Sequence, residues 1–316
     1  MIKPVILVVG SAQMELSLNM ARIPERGETL VDDGGVAYLP SGSAVDLSVA
    51  LTKLGACAVP VTKLGADAHG KKLYDFMKGG GLDVSAITVD RELSTALCVR
   101  MRDGAPAERR LYYPGATSAI GADMLRHAFD LVCPTAVLIS LDIPFESALC
   151  AARIAESRGI PILLDARGAC EEHLLEQMPQ IEIFLLNEKQ AKQYTGILPM
   201  GADVSLRSAL VLYKKMNLKY VLFKLGARGS FLYDGKRRDM VSPVAGCRVP
   251  DGPLSIGACY TAALCAAYLA GTDIRSSMHF ATAAAALCIQ NGGGMSAFPT
   301  APQVLDFRNR RMACDT

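Results

Sequence analysis

Two short turns rich in glycine and serine stand where this chain could bind an anion or a hydroxyl group. Residues 41–43 (Ser-Gly-Ser) open a predicted helix over 43–55, and residues 254–258 (Leu-Ser-Ile-Gly-Ala) open a predicted helix over 259–270. The first backbone N–H groups of a helix have no partner within it, so such a turn can hold a phosphate or a hydroxyl ligand. An ordinary N-cap accounts for the same residues, and the turns by themselves leave both interpretations open.

A third glycine-rich turn, Lys224 to Gly229 (KLGARG), links the apolar runs VLFK and SFLY and predicts a tight hairpin. Other signature motifs are missing from the sequence. The first apolar run is followed by GSAQME and not by the GxGxxG of dinucleotide-binding proteins, and the chain has neither GxxxxGK before Ser or Thr nor GxSxG. The four histidines have no metal-ligand spacing to the ten cysteines, so no zinc site is predicted.

The composition is that of a folded chain that does not depend on bulk charge. Hydrophobic residues make up 51% of the 316 residues and charged residues 20%, which predicts a sizeable core and excludes disorder. The 33 Lys and Arg against 31 Asp and Glu give a net charge of +2, which excludes a nucleic-acid binder that works through bulk positive charge. With no signal peptide and no disulfide-like cysteine pattern, a cytoplasmic protein is predicted.

Two uncharged stretches, 252–272 and 276–305, are long enough to span a bilayer by residue count alone. Glycine and proline break both of them, and what remains is two Ala-rich helices of ordinary length. We predict that these helices are buried in the core and that the protein has no membrane partner.

Predicted strands and helices alternate along most of the chain, which favours an α/β fold with a mostly parallel central sheet between helices. The predicted buried strands are residues 4–10, 56–65, 135–141, 160–166, 181–187 and 219–226. The predicted helices between them include 43–55, 69–81, 146–159, 188–196 and 205–217. Because the carboxyl ends of parallel strands meet at one edge of the sheet, a ligand pocket is expected there.

Residues 11–40 and 95–113 interrupt this alternation. Polar and apolar residues alternate in them, which is typical of strands with one solvent-exposed face. We predict a small separate sheet that covers the pocket as a lid. The whole chain, 1–316, is predicted to be one α/β domain with this lid inserted in it.

The order of these segments resembles the ribokinase-like (PfkB) family of carbohydrate and nucleoside kinases, and the resemblance covers nearly the whole chain. VVGSAQMEL with RIPERGETL resembles the opening strand and first lid segment of the family, and SGSAVDLSVALTKLGA its first signature. TKLGADAHGKKLYDFMKGGGLDVS, LLDARG, FLLNEKQAKQYTG, VLFKLGARGSFLY and PTAPQVLDF resemble further family segments in the family's order. GPLSIGACYTAALCAAYLAG stands where the second signature is expected.

The resemblance implies a three-layer fold with a β lid and transfer of the ATP γ-phosphate to a hydroxymethyl group of a sugar or nucleoside. In the family, an Asp of the second signature deprotonates the hydroxyl group, and the N–H groups of the preceding turn stabilise the phosphoryl charge. Mg²⁺ bridges the phosphates, assisted by an N-x-x-E motif. The resemblance also implies a small polar ligand such as a sugar or polyol, and a homodimer formed through the lid.

The departures from the family pattern concentrate where the chemistry is expected. Ala258 stands at the position of the base, and Ser255, Ile256 and Gly257 form the anion turn before it. A methyl group accepts no proton, so the resemblance implies impaired or absent phosphoryl transfer. Asp251 is the carboxylate next to this segment that would replace the base; a turn residue with its side chain in solvent is the alternative.

Other positions carry over with changed chemistry. The expected acceptor-binding residues are Gln13, Glu15, Ser41, Gly42 and Asp46, with Asp46 in the place of an Asn, where its charge would repel an acidic sugar. The expected nucleotide-binding residues are Asn187, Lys224, Gly226 and Gly229, and the expected metal-binding residues are Glu188 and Gln190. Gln190 replaces the Glu of the N-x-x-E motif, which weakens a site for Mg²⁺.

Three functions therefore stay open from the sequence. The first is a degenerate kinase that binds ligand with little transfer, and the second is an active kinase with a relocated base. The third is a non-catalytic ligand-binding or structural subunit whose lid strands pair between protomers.

Overall fold

The computed structural model of the chain describes residues 3–104, 108–168, 170–247 and 255–314. Asp251, the proposed substitute base, lies outside these residues, as does the rest of 248–254.

The described part of the chain forms α-helices and β-strands in alternation. The strands are β1 Val5–Val9, β2 Gln13–Asn19, β3 Val36–Ser41, β4 Cys57–Gly65, β5 Ile87–Asp90, β6 Ala96–Arg102, β7 Arg109–Tyr113, β8 Ala136–Ser140, β9 Ile162–Asp165, β10 Ile181–Asn187, β11 Leu218–Lys224, β12 Ser230–Tyr233 and β13 Arg238–Val241. The helices are α1 Ser43–Lys53, α2 Ala68–Gly79, α3 Ala122–Val132, α4 Phe145–Ser157, α5 Glu188–Thr195, α6 Ala202–Lys215, α7 Ile256–Leu269, α8 Ile274–Gln290 and α9 Ala301–Cys314.

Nine strands form the central sheet in the order β13-β12-β11-β10-β9-β8-β1-β4-β5. Pairings from β11 through β5 are parallel, whereas β12 and β13 are antiparallel additions at one edge. The β11–β12 turn is the hairpin that KLGARG predicts. The mostly parallel sheet places the carboxyl ends of β8, β9, β10 and β11 side by side, where α/β folds bind ligands.

Helices cover both faces of this sheet, as the period of two along its strands requires. On β1, Leu7 and Val9 belong to the core cluster that includes side chains of α3 to α6, whereas Ile6 and Val8 belong to the cluster of α1, α7 and α8. Because successive side chains of a strand point to opposite faces, one apolar strand serves both cores. The three-layer α/β prediction is confirmed.

The two Ala-rich stretches are the buried helices that the sequence predicts. Helices α7 and α8 pack against α1 and the sheet, and Ala258, Cys265 and Ala281 are almost fully buried. Helix α7 begins at Ile256, three residues earlier than predicted. No helix in the described ranges is long and apolar enough to cross a membrane.

A separate four-stranded sheet has the order β3-β2-β6-β7. Its strands come from the two segments that interrupt the α/β alternation, so the predicted lid sheet is confirmed. Pairing of β2 with β3 sets Gln13 opposite Ser41, and the parallel pairing of β2 with β6 sets Glu15 opposite Cys98. The lid thereby carries polar side chains of β2 and β6 on one face, above the strand ends.

Candidate active site

One cavity of about 1580 Å³ lies between the lid sheet, the carboxyl ends of the central strands and the first turns of α1 and α7. It is lined by every candidate residue from the sequence that the structure describes. These are Gln13, Glu15, Ser41, Gly42, Asp46, Asn187, Glu188, Gln190, Lys224, Gly226, Gly229, Ser255, Ile256, Gly257 and Ala258.

The cavity has two sides with α7 between them. The lid side consists of residues from β2, β6, α1 and the ends of β8 and β9, namely Glu15, Arg100, Asp46, Asp142 and Arg167. The hairpin side consists of residues from β10, α5, β11 and the β11–β12 turn, namely Asn187, Glu188, Gln190, Lys224, Gly226 and Gly229. Helix α7 contacts both, because Ser255 Oγ lies 3.5 Å from Asp46 Oδ2 and Thr261 Oγ1 lies 2.9 Å from Lys224 Nζ.

Gly42 starts helix α1 in a backbone conformation that excludes other residues. Its φ is +111°, and a Cβ built there would lie 2.4 Å from the carbonyl oxygen of Ser11. The close approach lets Ala44 N–H donate to that same carbonyl at 3.0 Å. Gly42 thus holds the first turn of α1, with Asp46, against the end of β1.

Asp46 and Arg167 form a partly buried ion pair on the lid side. Arg167 Nη1 lies 3.1 Å from Asp46 Oδ2, and Asp46 is 5% exposed. Burial raises the pKa of Asp46 to about 6 although Arg167 opposes the shift. Because Arg167 neutralises this carboxylate when it is ionised, the repulsion of acidic ligands expected from Asp46 alone is largely cancelled.

Glu15 and Arg100 form a second, more deeply buried pair. Arg100 Nη2 lies 3.1 Å from Glu15 Oε2, and both residues are less than 10% exposed. Glu15 Oε1, Arg100 Nε and Asp46 Oδ1 are buried with no hydrogen-bond partner among the described residues. A buried polar atom without a partner is costly, so these three atoms point to a ligand that supplies the missing hydrogen bonds.

Asp142, at the end of β8, is a site residue that sequence reasoning missed. Its Oδ1 accepts hydrogen bonds from Ser43 Oγ at 2.6 Å and Ser11 N at 3.2 Å, and its Oδ2 accepts one from Ser11 Oγ at 2.7 Å. This carboxylate therefore joins β1 to the start of α1. An acidic residue directly after a predicted buried strand was the available signal.

On the hairpin side, Lys224 joins two neighbouring strand ends to α7. Its Nζ lies 3.4 Å from Asp165 Oδ2. Thr261 is hydrogen-bonded to both residues, because Lys224 donates to Thr261 Oγ1 and Thr261 Oγ1 donates to Asp165 Oδ2 at 3.1 Å. Burial by itself would raise the pKa of Asp165. The positive charges of Lys224 and Arg167 outweigh this effect, so the pKa of Asp165 is lowered.

Asn187 and Gln190 bond to each other instead of facing a metal ion. Asn187 Oδ1 accepts from Gln190 N at 2.9 Å, and Gln190 Oε1 accepts from Asn187 N at 2.7 Å, which is a capping box at the start of α5. The Asn-x-x-Gln spacing carried this signal in the sequence. Glu188 pairs with Arg228, and the described residues contain no group of three His, Cys, Asp or Glu arranged to hold a metal ion.

The start of α7 forms the middle of the cavity. Ser255 precedes the helix with φ +40°, and its side chain makes no capping hydrogen bond. A Cβ added to Gly257 would meet no heavy atom of the described residues within 4 Å, so these residues leave open space at this glycine. Ala258, the next residue, is 1% exposed and brings only a methyl group to this part of the cavity.

Comparisons with known proteins agree on one family. The family model for pfkB family carbohydrate kinases matches residues 3–301. A ribokinase of Arabidopsis thaliana is 27% identical over 313 residues, covering 96% of this chain and 80% of that protein. A ribokinase of Haemophilus influenzae is 24% identical over 306 residues, covering 95% of this chain and 97% of that protein. The solved structure of the Arabidopsis ribokinase complexed with ribose and ATP has a TM-score of 0.84 at 26% identity and covers 97% of this chain and 99% of that one.

Proposed function

The chain belongs to the pfkB family of carbohydrate kinases, and we propose that it binds a small polyhydroxylated acceptor and a nucleoside triphosphate but transfers the phosphoryl group slowly. The observation that carries this proposal is Ala258 at the start of α7, on the floor of a cavity whose two sides are otherwise polar. In the reaction, an acceptor hydroxyl would attack the terminal phosphorus, the nucleoside diphosphate would leave, and the hydroxyl proton would need a base.

The missing base sets the expected size of the defect. A positioned general base contributes ~10²–10⁴ to the rate of a proton-transfer-assisted step. A methyl group at this position leaves the proton to water or to a more distant group. The scaffold that positions the two reactants contributes independently of the base, so binding is expected to persist where turnover is slow.

The lid side supports the acceptor part of the proposal. Glu15 Oε1 and Asp46 Oδ1 are buried acceptors to which no described residue donates, and Arg100 Nε is a buried donor that finds no acceptor among those residues. Hydroxyl groups both donate and accept, so neighbouring hydroxyl groups of a polyol satisfy both kinds of atom. Ribose is bound by the similar Arabidopsis protein, and ribose is therefore the first acceptor to test.

The start of α7 supports the nucleotide part. Open space beside Gly257 lets a phosphate approach the backbone N–H groups at the start of α7. The cation of Lys224 bonds to Thr261, one turn further along the same helix. ATP fits these features, and the structure of the similar Arabidopsis ribokinase is a complex with ribose and ATP. Mg²⁺ fits them less well, because Asn187 and Gln190 cap each other and Glu188 pairs with Arg228, which leaves the nucleotide phosphates as its main ligands.

The proposal is tested by restoring the acid with an isosteric control. ADP release from ATP with ribose and with a panel of pentoses, hexoses and nucleosides is measured for the natural protein, Ala258→Asp and Ala258→Asn. The expected result is slow release by the natural protein and by Ala258→Asn, and release faster by ~10²-fold or more in Ala258→Asp. Equal rates in the natural protein and Ala258→Asp would refute the impaired-transfer proposal.

One observation favours a second candidate, an active kinase with a relocated base. Asp46 lies 3.5 Å from Ser255, its Oδ1 is unpartnered, and its pKa of about 6 suits a base at neutral pH. If Asp46 is the base, the natural protein turns over rapidly, Asp46→Asn loses ~10²-fold or more in kcat, and kcat rises with pH around 6. This candidate would be excluded if the natural protein turns over slowly and Asp46→Asn does not reduce the rate further. Asp251 is assessed by Asp251→Asn in the same assay.

We also propose a homodimer formed through the lid. Its edge strands β3 and β7 expose large apolar side chains, among them Val36 at 64%, Tyr38 at 52% and Tyr113 at 54%. Sedimentation equilibrium is expected to show that the natural protein is a dimer. The double variant Tyr38→Lys with Tyr113→Lys is expected to be a monomer. A single unfolding transition of that monomer would support the further proposal that residues 1–316 are one domain. A cytoplasmic location remains a proposal from composition.

A further inference from the structure

Three arginines of the lid converge on one glutamate. Arg100 and Arg102 on β6 and Arg110 on β7 all lie near Glu108, which immediately precedes β7. Arg102 Nη2 lies 3.3 Å from Glu108 Oε2, Arg110 Nε lies 2.6 Å from Glu108 Oε1, and Arg100 Nε lies 3.5 Å from Oε2 without a hydrogen bond. All four side chains line the cavity.

The strand register explains why these cations share one face. Arg100 is directly opposite Arg110 in the antiparallel pairing of β6 with β7, and Arg102 is two residues along β6 from Arg100. Like charges directly opposite each other destabilise a sheet. An anion on this face is therefore required by the lid itself, and Glu108 supplies one in the ligand-free chain.

The charges of this cluster leave one cation in excess. Three arginines face two carboxylates, Glu15 and Glu108, and Glu15 is already paired with Arg100. Burial, and after it the neighbouring Arg110, lowers the pKa of Arg100. Arg100 is only 7% exposed, and its Nε has no hydrogen-bond acceptor in the part of the chain that the structure describes.

We propose that this lid face binds a carboxylate of the acceptor, so that the acceptor is a monocarboxylic sugar acid. Glu108 occupies the position of that carboxylate when no ligand is bound. A ligand carboxylate carries the same single negative charge as the Glu108 side chain that it replaces, whereas a phosphate ester carries two, and guanidinium groups bind carboxylates with matching planar geometry. Glu108 can give way because its side chain is 27% exposed. The inference rests on one part of the proposed function, namely that the acceptor binds on the lid side of the cavity.

Binding is measured by calorimetry, without turnover, for C5 and C6 aldonates, the matching neutral alditols and the matching sugar phosphates. The proteins are the natural chain, Glu108→Gln, Arg110→Gln and the control Arg109→Gln, which removes the same charge from the next residue of β7, outside the cavity lining. Melting temperatures of all variants establish that they fold.

At least one aldonate is expected to bind about tenfold or more tighter than its alditol. Glu108→Gln is expected to tighten that aldonate about tenfold and Arg110→Gln to weaken it about tenfold, with the alditol and Arg109→Gln unaffected. The proposal is overturned if no aldonate is preferred, if Glu108→Gln weakens the acid, or if a phosphate ester binds tighter than its acid. If alditols bind and no aldonate is preferred, this inference is refuted and the proposed function stands. If the natural protein and Ala258→Asp release ADP at equal rates, the impaired-transfer proposal is refuted and this inference stands.

Discussion

The lid side and the hairpin side of the cavity are both polar, but they differ in whether the atoms of their charged side chains have partners. On the hairpin side, Asn187 and Gln190 bond to each other, Glu188 pairs with Arg228, and Lys224 bonds to Thr261. On the lid side, buried atoms of Glu15, Asp46 and Arg100 have no hydrogen-bond partner among the described residues.

This difference shows where the protein needs a ligand. Side chains on the hairpin side stabilise the fold whether or not a nucleotide binds, so their presence is weak support for nucleotide binding. Buried and unsatisfied charges on the lid side lower the stability of the ligand-free chain. A ligand that satisfies them recovers that free energy, which makes the lid side the better guide to what the protein binds.

The largest expected effect compares one ion pair from each side. Arg100→Met leaves Glu15 as a buried carboxylate without its cation and is expected to lower the free energy of unfolding by about 3–5 kcal/mol. Arg228→Met, in the exposed pair with Glu188, is expected to cost at most about 1 kcal/mol. Urea denaturation at pH 7 measures both. Equal losses would remove the contrast between the two sides.

A second prediction concerns the pH dependence of stability. The pKa of Asp46 is about 6 in the folded protein against a usual value of 3.8, so the folded state binds a proton more tightly than the unfolded state. Stability from this group is complete below pH 4 and is lost as pH rises through 6, by about 3 kcal/mol in all. Denaturation from pH 4 to 7 is expected to show this decline in the natural protein and not in Asp46→Asn. Parallel curves would contradict it.

A third prediction tests whether the start of α7 binds phosphate. In Gly257→Ala the added methyl group meets no heavy atom of the described residues within 4 Å, so the free energy of unfolding is expected to stay the same or to rise slightly. The added methyl group would keep a phosphate from the backbone, and ADP affinity is expected to fall about tenfold. Calorimetric titration with ADP measures this. Unchanged affinity would place the nucleotide phosphates elsewhere.

The smallest expected effect belongs to the capping box. Asn187→Ala removes the N-cap of α5 and is expected to cost about 1 kcal/mol of stability. Because this side chain bonds to its own helix, the loss is expected to be the same with and without saturating ADP. A loss that grows when ADP is present would show that Asn187 contacts the nucleotide.

Much of the fold could be predicted from the sequence because the signals were local. Runs such as VILVV are apolar at every position, as strands buried on both faces must be. The lid segments alternate instead, because one face of that sheet is in contact with solvent. The start of α7 was less predictable, since Ser255, in a left-handed conformation, precedes a helix that begins at Ile256.

The candidate site divides in the same way. Ala258 at the base position can be recognised from its neighbours in sequence, and so could the capping box formed by Asn187 and Gln190. The partnership of Asp46 with Arg167 could not, because 121 residues separate them and no local pattern links an aspartate of one helix to an arginine after a distant strand. The bonds of Asp142 to Ser11 and Ser43 also join residues far apart in the chain, although the place of Asp142 directly after a buried strand was a local signal.

The sequence by itself determined the order of the elements, the two-segment lid and the alanine, Ala258, at the start of α7, since each depends on residues near one another in the chain. Only the tertiary structure decided which charges meet. Sheet order brings the ends of β1, β8 and β9 beside α1, and that juxtaposition pairs Asp46 with Arg167 and leaves atoms of Glu15 and Arg100 without partners. Coulombic and hydrogen-bond energies depend on distance in space, which the chain's one-dimensional order does not specify.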